Sequence, residues 1–227
     1  MEKIDSLDIL RWPFTWQERQ VALVDRVLFV PKHCEGLERF QLPTWQTLFG
    51  NSLPVRLEYC SGTGDWIIEK AKQDPLSNWV AVELRFDRLK KIWTKMRREN
   101  LPNLLLFCSE AFTVTHHFLA DETIEEVFIN FPDPWPKRRH AKHRLIQKRF
   151  LDEMVRTLKK SGKITLVTDD FSYVGEAIKE FTSHKGFKPL FLDPFYSVTE
   201  KSYGTSYFDA LWRSKGKTIY TLTFQKI

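Results

Sequence analysis

Cysteine is scarce in this chain of 227 residues: Cys34, Cys60 and Cys108 are the only three, they form no CxxC pair, and their number is odd. That fits reduced thiols better than a disulfide framework or a zinc site, with Cys60 and Cys108 read as small core residues. No apolar run approaches the length of a membrane span, so no membrane partner is expected. The opening stretch MEKIDSLDILRWPF carries acids and lacks an apolar h-region, so a secretory leader is not expected and the expected location is cytoplasmic. Repeats and low-complexity tracts are also missing, and His140 and His143 lack the further ligands a metal would need.

What is present is the balance of a folded, soluble protein: 42% hydrophobic and 28% charged residues, with an aromatic share of 14% that argues against disorder. The length suits one α/β domain with a full core, over residues 51–227, behind an N-terminal extension. That extension, residues 1–50, shows no clean period and reads as packed on the core. The net charge of +6 is concentrated, because seven Lys or Arg and no acid lie between Lys137 and Arg149; removing them leaves −1. A second basic stretch, Arg85 to Arg98, places Phe86, Leu89, Ile92, Trp93 and Met96 at helical spacing, so its charges read as a solvated face.

From Val55 the pattern alternates: VRLEY as strand, DWIIEKAKQ as helix, NWVAVEL as strand, the Arg85 helix, then NLLLFCS as strand. That order predicts a parallel sheet. EEVFIN is a fourth strand, and Leu151, Met154, Val155 and Leu158 predict an amphipathic helix ended by Gly162. KITLVTD, a helix around Val174 to Thr182, and KTIYTLTF complete the series. The fold class expected is α/β, doubly wound and mostly parallel, with late antiparallel strands.

The first strand runs into EYCSGTGDW, where Gly62 and Gly64 allow a sharp turn and close approach to a ligand, although such glycines also serve geometry alone. Glu83 closes the second strand about twenty residues on, where doubly wound folds place a carboxylate on ribose hydroxyls. The third glycine that a dinucleotide loop needs is absent, and acids surround the site instead: Glu58, Glu83 and Glu110. Carboxylates repel a pyrophosphate and suit the sulfonium and amino group of S-adenosylmethionine, which becomes the candidate cofactor.

FPDPWPK follows the fourth strand, where open α/β sheets bind ligands. Pro132, Pro134 and Pro136 restrict the chain on both sides of Asp133, so this carboxylate loses little freedom on binding. The plainer reading is an Asp bonded to its own backbone in a turn. A fixed carboxylate can accept from both N1–H and the exocyclic amine of guanine, and Trp135 either stacks on a base or packs in the loop. Arg144, Lys148 and Arg149 are expected at a helix start, where the dipole disfavours cations; phosphates would suit them. A surface helix tolerating lysines is the alternative.

With these residues in hand, the chain from about Val55 onward closely resembles the bacterial tRNA (guanine-N7)-methyltransferases, a class I, S-adenosylmethionine-dependent family. NFPDPWPKRRHAKHRL carries the resemblance most specifically, with VTDD and GTSYFDALWRSKG in matching order. It implies cofactor contacts at Glu58, Gly62, Gly64, Glu83, Glu110 and Asp133, with Asp133 also catalytic. It further implies guanosine contacts at Lys137, Asp169, Thr205, Ser206 and Asp209, and tRNA phosphate contacts at Arg138, Arg139, His140, Lys142 and Arg144. The implied target is the variable-loop guanine of tRNA, and the chain is expected to be a monomer or homodimer. This sequence departs from the family pattern with Cys60 at the first loop glycine, Glu110 for Asp and Asp209 for Glu, which leaves open whether Thr205 or Ser206 takes the family threonine's place. Other readings are methylation of another RNA base or amine, a non-catalytic RNA-binding protein of this fold, or a NAD-dependent oxidoreductase.

Overall fold

The computed structural model describes residues 10–15, 18–34, 36–198, 203–204 and 206–227, without the side chain of Arg138. Strands β1 (Ala22–Val24) and β2 (Val27–Phe29) form an antiparallel hairpin. The short helix α1 (Trp45–Phe49), capped by the Thr44 hydroxyl, precedes β3 (Val55–Tyr59). Next come α2 (Asp65–Gln73), β4 (Asn78–Glu83), α3 (Phe86–Arg98), β5 (Leu104–Cys108), α4 (Ala111–Phe118) and β6 (Ile124–Asn130). A 3-10 turn over Arg138–His143 leads to α5 (Lys148–Thr157), β7 (Leu158–Thr168) and α6 (Phe171–Ser183). The chain ends with β8 (Phe187–Pro189), β9 (Ser197–Val198), α7 (Tyr207–Ser214) and β10 (Tyr220–Lys226).

These strands form one sheet in the order β1-β2-β5-β4-β3-β6-β7-β10-β8, with β9 also on β10. Pairings from β2 to β7 are parallel, while β1 joins β2, β10 joins β7, and β8 and β9 join β10 antiparallel. The central strands are buried on both faces, as their unbroken apolar runs require. In β4, Val80 and Val82 face a core shared with Val114 of α4, Met154 of α5 and Phe181 of α6; Trp79 and Ala81 face α2 and α3. On α3 the predicted stripe is buried at Leu89, Ile92, Trp93 and Met96, each contributing about 1.5–3 kcal/mol. Its basic side chains lie outward: Arg97 pairs with Asp25 at 3.1 Å and Lys95 with Asp65 at 2.5 Å. The solvated-face reading of that stretch therefore holds.

Two expectations change. The helix predicted to reach Gly162 stops at Thr157, and Leu158 opens β7 by pairing with Ile124. The ladder then shifts register, and a Cβ at Gly162 would lie 2.9 Å from the Lys159 carbonyl, so this glycine serves a bulge and not a helix cap. Part of the 1–50 segment, moreover, belongs to the sheet itself, since β2 pairs with β5. Strands of three residues are too short to display a period-2 pattern, which is why the sequence showed none there.

Candidate active site

The chain turns outward from β3 in two directions, to β4 and β5 on one side and to β6 and β7 on the other. The loops leaving β3 and β6 therefore part at their carboxyl ends and open a crevice at the switch point. The glycine loop (60–64) leaves β3 there and the proline loop (131–136) leaves β6.

Glu58 lies near the end of β3 and is 1% exposed. Its Oε1 accepts a hydrogen bond from Asn130 Nδ2 at 2.7 Å, while Glu58 Oε2 and Asn130 Oδ1 are buried without partners. Both residues line a chamber of about 20 Å³ beneath the glycine loop, bounded across from them by Ser206, Tyr207 and Phe208. Burial pushes the Glu58 carboxyl up to about 7. Two orphaned acceptors on residues lining one small chamber suit a cationic hydrogen-bond donor, so these residues fit the ammonium group of S-adenosylmethionine. Asn130 was not singled out in the sequence; the available signal was an amide ending an apolar strand just before the proline loop.

Glu83 fixes the loop from the neighbouring strand. Its Oε2 accepts from the Gly62 amide and its Oε1 from the Arg85 amide, both at 2.8 Å, and burial raises its pKa. Gly64 caps α2 with φ of +78°, and a Cβ there would lie 2.7 Å from Ile92 Cγ1, so α3 packs too closely for any other residue. Cys60 takes the same left-handed region, φ +62°, without being glycine. It is only partly buried and borders the crevice, which corrects its reading as a core residue; Cys108 is buried as expected. Burial and then the charges of Glu83, Asp133 and Glu58 push the Cys60 thiol up.

Asp133 lines an outer cleft of about 310 Å³ together with Cys60, Leu84, Glu110, Trp135, Lys142 and Arg149. Its side chain is exposed, and no hydrogen bond engages it among the described residues, so the bonded-turn reading is not what the structure adopts. The loop around it is ordered from outside. The Phe131 amide donates to the Val167 carbonyl at 2.8 Å, and Arg144 donates to the carbonyls of Pro134 at 2.7 Å and Trp135 at 3.0 Å. Arg144 also pairs with Glu176 of α6, and its side chain is 9% exposed. Glu110 caps α4, where its Oε2 accepts from the Thr113 amide and hydroxyl, and it borders the same cleft.

Residues 52–222 match the family model Methyltransf_4, whose description reads "Putative methyltransferase". The tRNA (guanine-N(7)-)-methyltransferase of Chlamydia caviae is 45% identical over 217 residues, 96% of each chain. Its namesake in Streptococcus gordonii is 34% identical over 177 residues, 78% of this chain and 82% of the relative. The chain belongs to the tRNA (guanine-N(7)-)-methyltransferase family. A crystal structure of the 16S rRNA methyltransferase KamB superposes with a TM-score of 0.61 at 18% identity, covering 80% of this chain and 92% of that one. That likeness gives the class I methyltransferase fold.

In this tRNA (guanine-N(7)-)-methyltransferase family member the basic segment divides by side-chain direction. Lys137, Arg139 and Lys142 are exposed without ion-pair partners among the described residues, and His140 stacks edge-on against Trp135. Arg144, expected among the phosphate contacts, turns its guanidinium inward in this structure and holds the proline loop. Nor does Arg144 stand on the helix: α5 begins at Lys148 after Gln147. Lys148 pairs with Asp152 at 2.9 Å, and Arg149 lies over the Phe112 ring.

Among the expected guanosine contacts, Asp169 pairs with Lys217, a cation the sequence had not singled out. Thr205 lies outside the described residues. Ser206 caps α7 by accepting from the Asp209 amide at 3.4 Å. Asp209 itself is 1% exposed and accepts from Arg213 Nε at 3.0 Å and from the Tyr203 amide at 3.2 Å. In this structure Asp209 braces the Tyr203 turn. Among the described residues no cluster of His, Cys, Asp or Glu could hold a metal ion, and no helix is long and apolar enough to cross a membrane.

Proposed function

We propose that this chain transfers a methyl group from S-adenosylmethionine to N7 of a guanine in the variable loop of tRNA. One observation carries the reading: Asp133, a carboxylate with no hydrogen-bond partner among the described residues, stands on a braced loop between the glycine-loop acids and a row of exposed cations. Glu58, Glu83 and the backbone of Gly62 and Gly64 would hold the cofactor, with Glu110 and Asp133 bordering it. When bound, S-adenosylmethionine supplies an electrophilic methyl group, which the free lone pair of guanine N7 accepts without a base. The task left to the protein is therefore orientation, and positioning alone can contribute about 7–11 kcal/mol of barrier lowering.

Asp133 accepts from N1–H and the exocyclic amine of the guanine, two parallel bonds that fix the base in plane. Lys137, Arg139 and Lys142 hold the phosphates flanking that nucleotide. The test is a reaction with an unmodified tRNA transcript and S-adenosylmethionine, followed by digestion to nucleosides. Formation of 7-methylguanosine is expected. A different methylated nucleoside overturns the assignment of the base, and tRNA binding without methylation reduces the chain to an RNA-binding protein.

A further inference from the structure

The outer cleft that holds Asp133 extends to α4 and α5, where Phe112 and Arg149 border it. Arg149 is exposed, and its guanidinium carbon lies 4.8 Å from the centre of the Phe112 ring. No acid engages it: among the described residues it forms no ion pair and no hydrogen bond, whereas Lys148 and Arg156 of the same helix pair with Asp152 and Glu153. Glu110, on the same cleft, spends its Oε2 on Thr113. The ring that carries the guanidinium is itself supported. Phe112 stacks on His116, one helical turn later, with 8° between the planes. A hydrogen bond of 3.0 Å joins His116 Nδ1 to Glu153 Oε1, and Arg156 donates to the other oxygen of that carboxylate.

We propose that Arg149, set on Phe112, is a stacking platform for the base of a nucleotide that flanks the target guanine in tRNA, an inference that rests on the reading above. A guanine held by its Watson–Crick edge must be unpaired and drawn out of its stack, which leaves its neighbour in the strand with a bare face. A guanidinium is planar and weakly hydrated, so it can cover such a face. Fixing it on a ring, and not on a carboxylate, orders the plane while leaving the charge and the N–H donors unspent. The position suits that role, because Arg149 and Asp133 border one cleft. A cation that served only a phosphate would need its charge but not its plane, and the two roles therefore differ in what a lysine can replace.

The test measures the Kd of the full chain for tRNA across salt, with transcripts that are intact or carry an abasic residue on either side of the target guanine. Arg149→Lys keeps the charge and removes the plane, so its salt slope should match the parent's while its affinity falls about tenfold. One of the two abasic transcripts should weaken the parent by a similar factor and weaken Arg149→Lys no further. Phe112→Leu, which removes the ring under the guanidinium and fills most of its space, should repeat that pattern and stands in if Arg149→Lys misfolds. Arg149→Lys at the parent's affinity, or losses that simply multiply with both abasic transcripts, overturns the inference and leaves the methyltransferase reading standing. A parent chain that binds no tRNA removes that reading, and the inference falls with it.

Discussion

On the β3–β4 side of the crevice the carboxylates are enclosed, Glu58 at 1% and Glu83 at 4% exposure, whereas on the β6 side Asp133 and the cations beyond it stand in solvent. The enclosed side is ordered by its own functional groups, since Glu83 ties down the glycine loop through backbone amides. The exposed side cannot do this if its cations are to meet a large polyanion as proposed, because such groups must stay unpaired until it arrives. Its order comes instead from prolines and from Arg144, the one cation of the segment turned inward among those described. One side thus keeps a buried charge at a cost in stability, and the other keeps solvated charges at the cost of a dedicated brace.

Asp133→Asn separates the two sides most sharply. The carboxylate makes no hydrogen bond among the described residues, so the melting temperature should hold. Methylation should fall by about 10²–10³ in kcat/KM, or roughly 3–4 kcal/mol, because an amide cannot accept twice from the guanine edge. Unchanged turnover would show that Asp133 does not orient the base.

Glu58→Gln should act in the opposite sense on stability. The folded-state value near 7 lies above the ordinary 4.5, so the folded chain binds this proton more tightly than the unfolded chain. That stabilisation is complete below the unfolded value and is lost as pH rises through 7. A glutamine keeps an acceptor for Asn130 and removes the titration. At pH 8 the ligand-free variant should therefore exceed the parent by up to about 3 kcal/mol, and near pH 4 the two should converge. Denaturant melts across that range check it, and calorimetry should show weaker cofactor binding by the more stable protein. Parallel pH curves for parent and variant would mean that the enclosed acid carries no strain.

Arg144→Ala is expected to cost about 2 kcal/mol, since it orphans two carbonyls and Glu176. Activity should fall because the loop carrying Asp133 loses its brace, and Arg144→Lys should restore little, because a single ammonium lacks the fork that reaches both carbonyls.

The readable part of this protein was the part governed by local pattern. VRLEY, DWIIEKAKQ and the Phe86 stripe occupy the elements predicted for them because strands buried on both faces must be apolar runs and α3 buries one face. The acids at the ends of β3 and β4 were legible for the same reason, since a carboxylate closing an apolar strand has little else to do there. Side-chain direction was not legible. Seven cations in thirteen residues read alike in one dimension, and only the path of the 3-10 turn decides that Arg144 points in and Lys142 out. The brace from Asp209 was hidden in the same way, because the turn at Tyr203 that it holds has no sequence period. Helix α4, AFTVTHHF, escaped notice because its threonines and histidines blur the apolar stripe and its start is set by the Glu110 cap.

The smallest effects test that distinction among the cations. Neutralising a phosphate contact lowers the slope of log affinity against log salt by about one, whatever the RNA sequence. Arg139→Ala and Lys142→Ala, both exposed and without ion-pair partners among the described residues, should each do so with little change in stability. Lys148 is already engaged by Asp152, so Lys148→Ala should change the slope less. Arg144→Ala should leave the slope of whatever binding survives unchanged, because its charge answers Glu176 and the loop carbonyls and not the RNA. Equal slopes for all four variants would mean that the segment acts as an undifferentiated positive field, and the inward brace would then lose its separate role.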